Sequence, residues 1–110
     1  MASADEFAAI DVRVGTVIAA RPFPEARKPA IKLTIDFGDE IGIRRSSAQL
    51  TVHYSPDGLV GRQIVAAVNL GTRRIAGFES QVLVLGALPA PGEVVLLNLD
   101  QPVANGTRIG

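Results

Sequence analysis

In the stretch AIKLTIDFG, positions 30–38, the apolar residues Ile31, Leu33, Ile35 and Phe37 alternate with Lys32, Thr34 and Asp36. A period of two places the apolar four on one face of a β-strand and the polar three on the other. A chain built around this stretch must make a sheet with a dry side, and Phe37 is expected in the core. The preceding VRVGTVIAARPF alternates or nearly alternates through Val12, Val14, Thr16 and Ile18 and breaks at Pro22 and Pro24, which predicts a strand over about 12–20. Gly38 and Asp39 supply turn chemistry, and IGIRRSS continues as a short third strand. The three read as a meander.

After Ser46 the alternation stops. Ser47 is placed to cap a short helix over Ala48 to Val52, and Pro56, Gly58 and Gly61 punctuate an irregular crossover. Core strands are expected in QIVAAVNL (63–70), QVLVLGAL (81–88) and EVVLLNL (93–99). The Asn105-Gly106 pair near the end predicts a late hairpin or an extended return. Strand count, Gly/Pro turns and one small helix predict an all-β fold. It is read as a five-stranded barrel of the oligonucleotide/oligosaccharide-binding (OB) type with a C-terminal β extension. By counting alone, an SH3-like barrel or small sandwich fits almost as well. A length of 110 residues predicts one domain. The stretches 81–88 and 93–99 are apolar on both faces with no helices to cover them, so a second subunit is the expected cover and the protein is read as a homodimer.

The chemistry of catalysis is thin. With no cysteine and one histidine, His53, the chain lacks thiol nucleophiles, disulfides and a convergent set of metal donors. No serine sits in a nucleophile elbow, and the glycines of GDEIG and NLGTRRIAG lack a phosphate-loop setting. Neither an enzyme nor a bound metal or organic cofactor is expected. His53, beside Tyr54, reads as a surface or partly packed side chain. The opening MASADEFAAI has no positive flank, and no run approaches the ~18 apolar residues of a membrane span. A cytoplasmic protein with no membrane insertion is the expectation.

Binding chemistry survives. The formal net charge is zero, yet from Ile41 to Phe78 five arginines stand against Asp57 alone, a local net of +4. Arginine's planar fork of donors suits phosphate oxygens. Arg44 and Arg45 end the third strand and Arg73 and Arg74 follow the fourth, so two pairs distant in sequence are candidates for one patch. Aromatic residues are only 5% of the chain, which favours recognition of a folded nucleic acid by shape and backbone over base stacking. Ser46, Gln49, Asn69 and Ser80 offer neutral hydrogen bonds.

The segments FPEARKPAIKL, GIRRSSAQLT and RRIAGFESQVLVLG, within a match running from about Phe7 to Gly110, resemble the tRNA-binding-domain family. That family includes the C-terminal domain of many bacterial methionyl-tRNA synthetases, endothelial-monocyte-activating polypeptide II and small bacterial export-related chaperones. The resemblance implies an OB barrel, a homodimer and cytoplasmic binding of tRNA, with unfolded preproteins or the secretion ATPase as further partners. By the family pattern, the nucleic-acid face comprises Arg13, Lys32, Arg44, Arg45, Ser46, Gln49, Asn69, Arg73, Arg74 and Ser80, with the segment Asn69 to Ser80 carrying the closest match. The family's common SEGMLL is SQVLVL here, keeping Ser80 and placing Leu83 at the methionine position, and Lys28 and Lys32 are the only lysines.

Overall fold

The computed structural model describes residues 1–110. Its strands are β1 (Val12–Pro22), β2 (Ile31–Asp36), β3 (Ile43–Ala48), β4 (Gln63–Ala67), β5 (Arg73–Ile75), β6 (Phe78–Ser80), β7 (Leu83–Val84), β8 (Gly86–Ala87), β9 (Val95–Leu96) and β10 (Arg108–Ile109). Short helical turns α1 (Ala4–Ala8), α2 (Gly38–Ile41) and α3 (Pro56–Leu59) punctuate them. The main sheet runs β3-β2-β1-β4-β7, antiparallel throughout, with β10 added to β1. The alternation of 30–38 works as expected: Ile31, Leu33, Ile35 and Phe37 are all at most 2% exposed and anchor the main core with Val17, Leu50, Leu59, Ile64 and Ala66.

Curling brings β3 round to residues 80–82, where side chains complete what the ladder does not. Gln81 N donates to the Arg45 carbonyl (2.8 Å), and Arg45 N donates to Gln81 Oε1 (2.9 Å). Ser47 N donates to Ser80 Oγ (3.0 Å), and the buried Ser46 Oγ donates to the Val82 carbonyl (3.1 Å). The result is a nearly closed five-strand barrel. Gly15 allows it to pack tightly, because a Cβ there would lie 2.6 Å from Ile35 Cγ2 and 2.7 Å from Phe37 Cδ1.

Several local expectations are corrected. The register of β1 against β2 shifts between Val17 and Ala19, a bulge that adds one residue and re-aims the strand. Before that bulge Val17 pairs with the buried Ile35 and shares its face, so Val17 is fully buried and Ile18, expected on the apolar face, is 45% exposed. No helix forms over 48–52. Ser47 and Ala48 remain in β3, paired to Lys32 and Ile31, and the helical turn falls at α3, where Pro56 pre-sets the first turn and Leu59 buries completely. The strand expected over 63–70 stops at Ala67, and the run 81–88 splits into β7 and β8. The split follows from a change of partner: β7 pairs with β4, while β8 pairs with β9. Asn105 and Gly106 form a turn, closed by Thr107 N donating to Ala104 O with Gly106 at φ 89°, that leads the chain back along β1, where Gly106 N donates to Val14 O and Val14 N to Thr107 O.

The apolar excess has a partial answer within the chain. Because β4 alternates, Ile64 and Ala66 enter the barrel while Val65 and Ala67 face outward with Val12. Leu85, Leu99 and Ile109, brought over by the C-terminal extension, cover that second face. Leu83, Leu88, Val95 and Leu97 stay exposed, with Leu88 at 74%.

Candidate nucleic-acid interface

The face of β2 opposite the core carries Lys32 and Thr34, and strand pairing extends each into a row. Arg21, Lys32 and Ser47 are directly opposed across β1, β2 and β3; so are Ala19, Thr34 and Arg45. Directly opposed residues in antiparallel strands share a face. The two rows enclose a hollow of about 220 Å³ lined by Arg21, Lys32, Thr34, Arg45 and Phe78, among others.

Phe78 comes from the β5–β6 hairpin, whose turn residues Ala76 and Gly77 both have positive φ (47° and 79°). Two successive positive φ angles match the twist of a tight hairpin, and Gly77 meets that demand without Cβ strain. The hairpin lays Phe78 edge-on to Phe23, ring centroids 5.4 Å apart. Lys32 Nζ sits 4.5 Å from the Phe23 centroid and 5.2 Å from that of Phe78, and the Arg45 guanidinium lies 4.8 Å from the Phe78 ring. These cation–π contacts position both cations without neutralising them.

Beside the hollow runs a larger groove of about 830 Å³. Its apolar lining includes Ala30, Leu50, Ile75, Leu83, Leu85 and Leu88, and its rim carries Arg27, Lys28, Arg73 and Arg74. Gln49 also lines it. Hollow and groove together present seven cations and one carboxylate, Glu25. Arg73 is exposed and makes no ion pair, while Arg74 has only a 3.7 Å contact with Glu79.

The ten residues of the family pattern thus divide. Lys32 and Arg45 share the hollow; Gln49, Arg73 and Arg74 share the groove. Arg44 is separated from Arg45 because adjacent strand residues point to opposite faces, and its Nη1 donates to the Ile43 carbonyl (3.2 Å). Ser46 and Ser80 are buried in the barrel closure. Asn69 fastens the N-terminal segment, its Oδ1 accepting from Asp11 N and its Nδ2 donating to Ala9 O, both at 2.8 Å. Arg13 is committed to Asp11 (2.6 Å) and Glu40 (2.7 Å) and also donates to the Gly106 carbonyl; its side chain is 12% exposed. Hydrogen bonds to Asp11 and then Glu40 hold its guanidinium even more firmly protonated than an ordinary arginine. His53, partly exposed, contacts Glu93 through Nε2 at 2.6 Å.

Arg21 was not legible as a site residue. In sequence it is the last charge before a proline, and only the register that sets it opposite Lys32 reveals its company. A like-charged pair across two strands requires knowing how far β1 extends and where its bulge falls.

A nearly closed five-strand barrel with basic and apolar concavities side by side places the molecule in the OB-type class of binding barrels. The chain belongs to the family described as "Putative tRNA binding domain", which matches residues 12–108. Its structure superposes on the chaperone CsaA of Bacillus anthracis str. Ames at TM-score 0.95 and 53% identity, covering 100% of this chain and 99% of that one. It superposes on the CsaA chaperone protein of Picrophilus torridus at TM-score 0.91 and 44% identity, covering both chains fully. It is also 31% identical over 105 residues to a methionine–tRNA ligase of Flavobacterium johnsoniae, a match that takes in 96% of this chain and 14% of the ligase. The chain therefore spans about one seventh of the length of the curated ligases it matches.

Proposed function

We propose that this protein is a non-catalytic, tRNA-binding homodimer of the cytoplasm that holds folded RNA by its phosphate backbone. The observation that carries the reading is the set of seven cations facing one carboxylate across two adjoining concavities. Cations that outnumber their protein counter-charges bind a polyanion by displacing its condensed counterions, and each contact adds salt dependence. The Phe23 and Phe78 rings lie beneath Lys32 and Arg45 and are nearly buried, so they support positioned cations rather than base stacking. By this reading Lys32, Arg45, Arg73 and Arg74 contact RNA, with Gln49 beside them; Arg13, Ser46, Asn69 and Ser80 hold the scaffold that presents them. Titration of folded tRNA at two salt concentrations tests the proposal. Affinity that is absent at low salt, or indifferent to replacement of Arg73 and Arg74 by alanine, would overturn it.

The groove supports a second activity, capture of extended polypeptide in the manner of a chaperone. Its floor is apolar and its rim basic, a combination suited to unfolded segments that mix apolar and acidic residues. An export role, with preproteins or the secretion ATPase as partners, belongs to this second reading and rests on the family resemblance. Suppression of client aggregation at stoichiometric ratios, with isolation of the complex, is the expected result; inertness toward several unfolded clients would remove this activity. The dimer draws support from exposed Leu83, Leu88, Val95 and Leu97 on the C-terminal third.

A further inference from the structure

We propose that the hollow bounded by Arg21, Lys32 and Arg45 is a seat for one phosphomonoester, which on an RNA occurs only at a chain end. The inference rests on the RNA-binding reading and adds a specific subsite to it. Arg21 and Lys32 are directly opposed across β1 and β2, a like-charge arrangement that ordinarily destabilises a sheet. No acid relieves it. The ion pairs of the molecule are those of Arg13 with Asp11 and Glu40, of His53 with Glu93 and of Arg74 with Glu79; none reaches Arg21, Lys32 or Arg45. The third cation, Arg45, joins them two residue pairs further along the sheet, on the same face, and Thr34 places a hydroxyl-bearing side chain on the same wall.

Size and charge set the ligand class. At about 220 Å³ the hollow lies below the ~300–1,000 Å³ typical of sites for drug-sized organic ligands. It suits one phosphate with part of its sugar. The ring faces that a base would use already carry Lys32 and Arg45. A backbone diester brings a single negative charge to three cations, whereas a phosphomonoester brings about −1.5 to −2 at neutral pH and three acceptor oxygens. Arg21 and Arg45 are forked donors able to grip two of those oxygens, with Lys32 as a point charge between their strands. Backbone diesters are then left to the exposed arginines of the neighbouring groove.

The test follows backbone amide and arginine side-chain NMR signals of the whole protein during titration with inorganic phosphate, against chloride at matched ionic strength. Saturable shifts at Lys32, Arg45 and Phe78 are expected, with saturation lost in Arg21→Gln and Arg45→Gln. Arg21→Gln relieves the opposed charges, so its Tm stays the same or rises while phosphate binding falls; a purely structural arginine would lower Tm. In parallel, tRNA stripped of its terminal phosphate is expected to bind the wild type about tenfold more weakly and Arg21→Gln no differently from intact tRNA. Phosphate shifts that match chloride, or terminal dephosphorylation without effect on wild-type affinity, would overturn the assignment. Failure of tRNA to bind at all would refute the RNA reading alone, because the free-phosphate titration would still decide whether the seat exists.

Discussion

Replacing Arg73 and Arg74 together by alanine gives the sharpest quantitative test of the RNA reading. Both side chains are exposed on β5, and Arg74 has only a distant carboxylate neighbour at 3.7 Å, so truncation removes charge with little loss of packing. If each of the seven cations on the hollow and groove neutralised one duplex-like phosphate, the slope of log K against log salt would be about −6.3 per protomer. Raising salt from ~50 to ~150 mM would then weaken binding by roughly 1,000-fold. The double variant retains five of these cations, for a slope near −4.5 and a loss of roughly 140-fold over the same interval. These are upper limits, since contacts to unpaired RNA contribute about −0.7 each rather than −0.9 and three cations sharing one phosphate in the hollow neutralise fewer phosphates than their number. The difference between variants is therefore about 1.4–1.8 in slope, measurable by fluorescence titration with labelled tRNA at four or five salt concentrations. Coincident slopes for wild type and variant, with both proteins folded, would show that these arginines neutralise no phosphate.

Arg13→Ala is predicted to separate scaffold from surface: it removes the contacts to Asp11, Glu40 and the Gly106 carbonyl and lowers Tm, while the tRNA salt slope stays at the wild-type value. A reduced slope in a variant of unchanged Tm would place Arg13 on the RNA instead. Gly15→Ala drives a methyl into Ile35 and Phe37, both fully buried, and is expected to cost about 1–3 kcal/mol by urea denaturation. A neutral result would mean the barrel relaxes around Phe37. Leu88→Asp places a charge on the most exposed leucine of the C-terminal third and is expected to shift a micromolar sample from dimer to monomer in sedimentation velocity. A wild type that is already strictly monomeric there would refute the homodimer.

The elements readable from sequence are those whose burial follows one period along one strand. The run Ile31 to Phe37 needs no knowledge of its neighbours, because alternation alone divides core from surface, and its placement is as expected. Ile18 departs from expectation because Val12, in phase with it, packs on the second face with Val65 and Ala67, while the pairing with β2 sets Val17 opposite the core residue Ile35. The helix followed the same logic: Ser47 has the chemistry of a cap, but it and Ala48 stay extended in β3 opposite Lys32 and Ile31, where barrel closure brings Ser80 Oγ to the Ser47 N–H. The stretches 81–88 and 93–99 called for a cover that sequence reasoning assigned to another subunit, yet Leu85 and Leu99 from them pack on Val65 and Ala67 of β4. Part of the cover is therefore Val12, Val65 and Ala67 of the same chain.

The basic face shows why residue type and residue position carry different information. Charge counting located the positive third of the chain but treated Arg44 and Arg45 as a unit, and a strand necessarily parts them. Arg45 instead finds Lys32, thirteen positions earlier in sequence, and Arg21, which lies outside the positive third altogether. Phe78 joins Lys32 and Arg45 through its ring and lines the hollow with Arg21, and it is delivered by a hairpin that also carries Arg73 and Arg74. A change at Phe78 should therefore disturb both concavities at once: Phe78→Leu retains apolar volume but loses the ring that supports Lys32 and Arg45 and the edge contact with Phe23. Loss of the cation–π contacts, each about 0.5–1 kcal/mol at exposed sites, predicts weaker tRNA binding at constant net charge. Because no charge is removed, the salt slope should change far less than in the double-arginine variant, and a slope reduced to the same extent would mean that the hairpin acts by carrying charge rather than by positioning it.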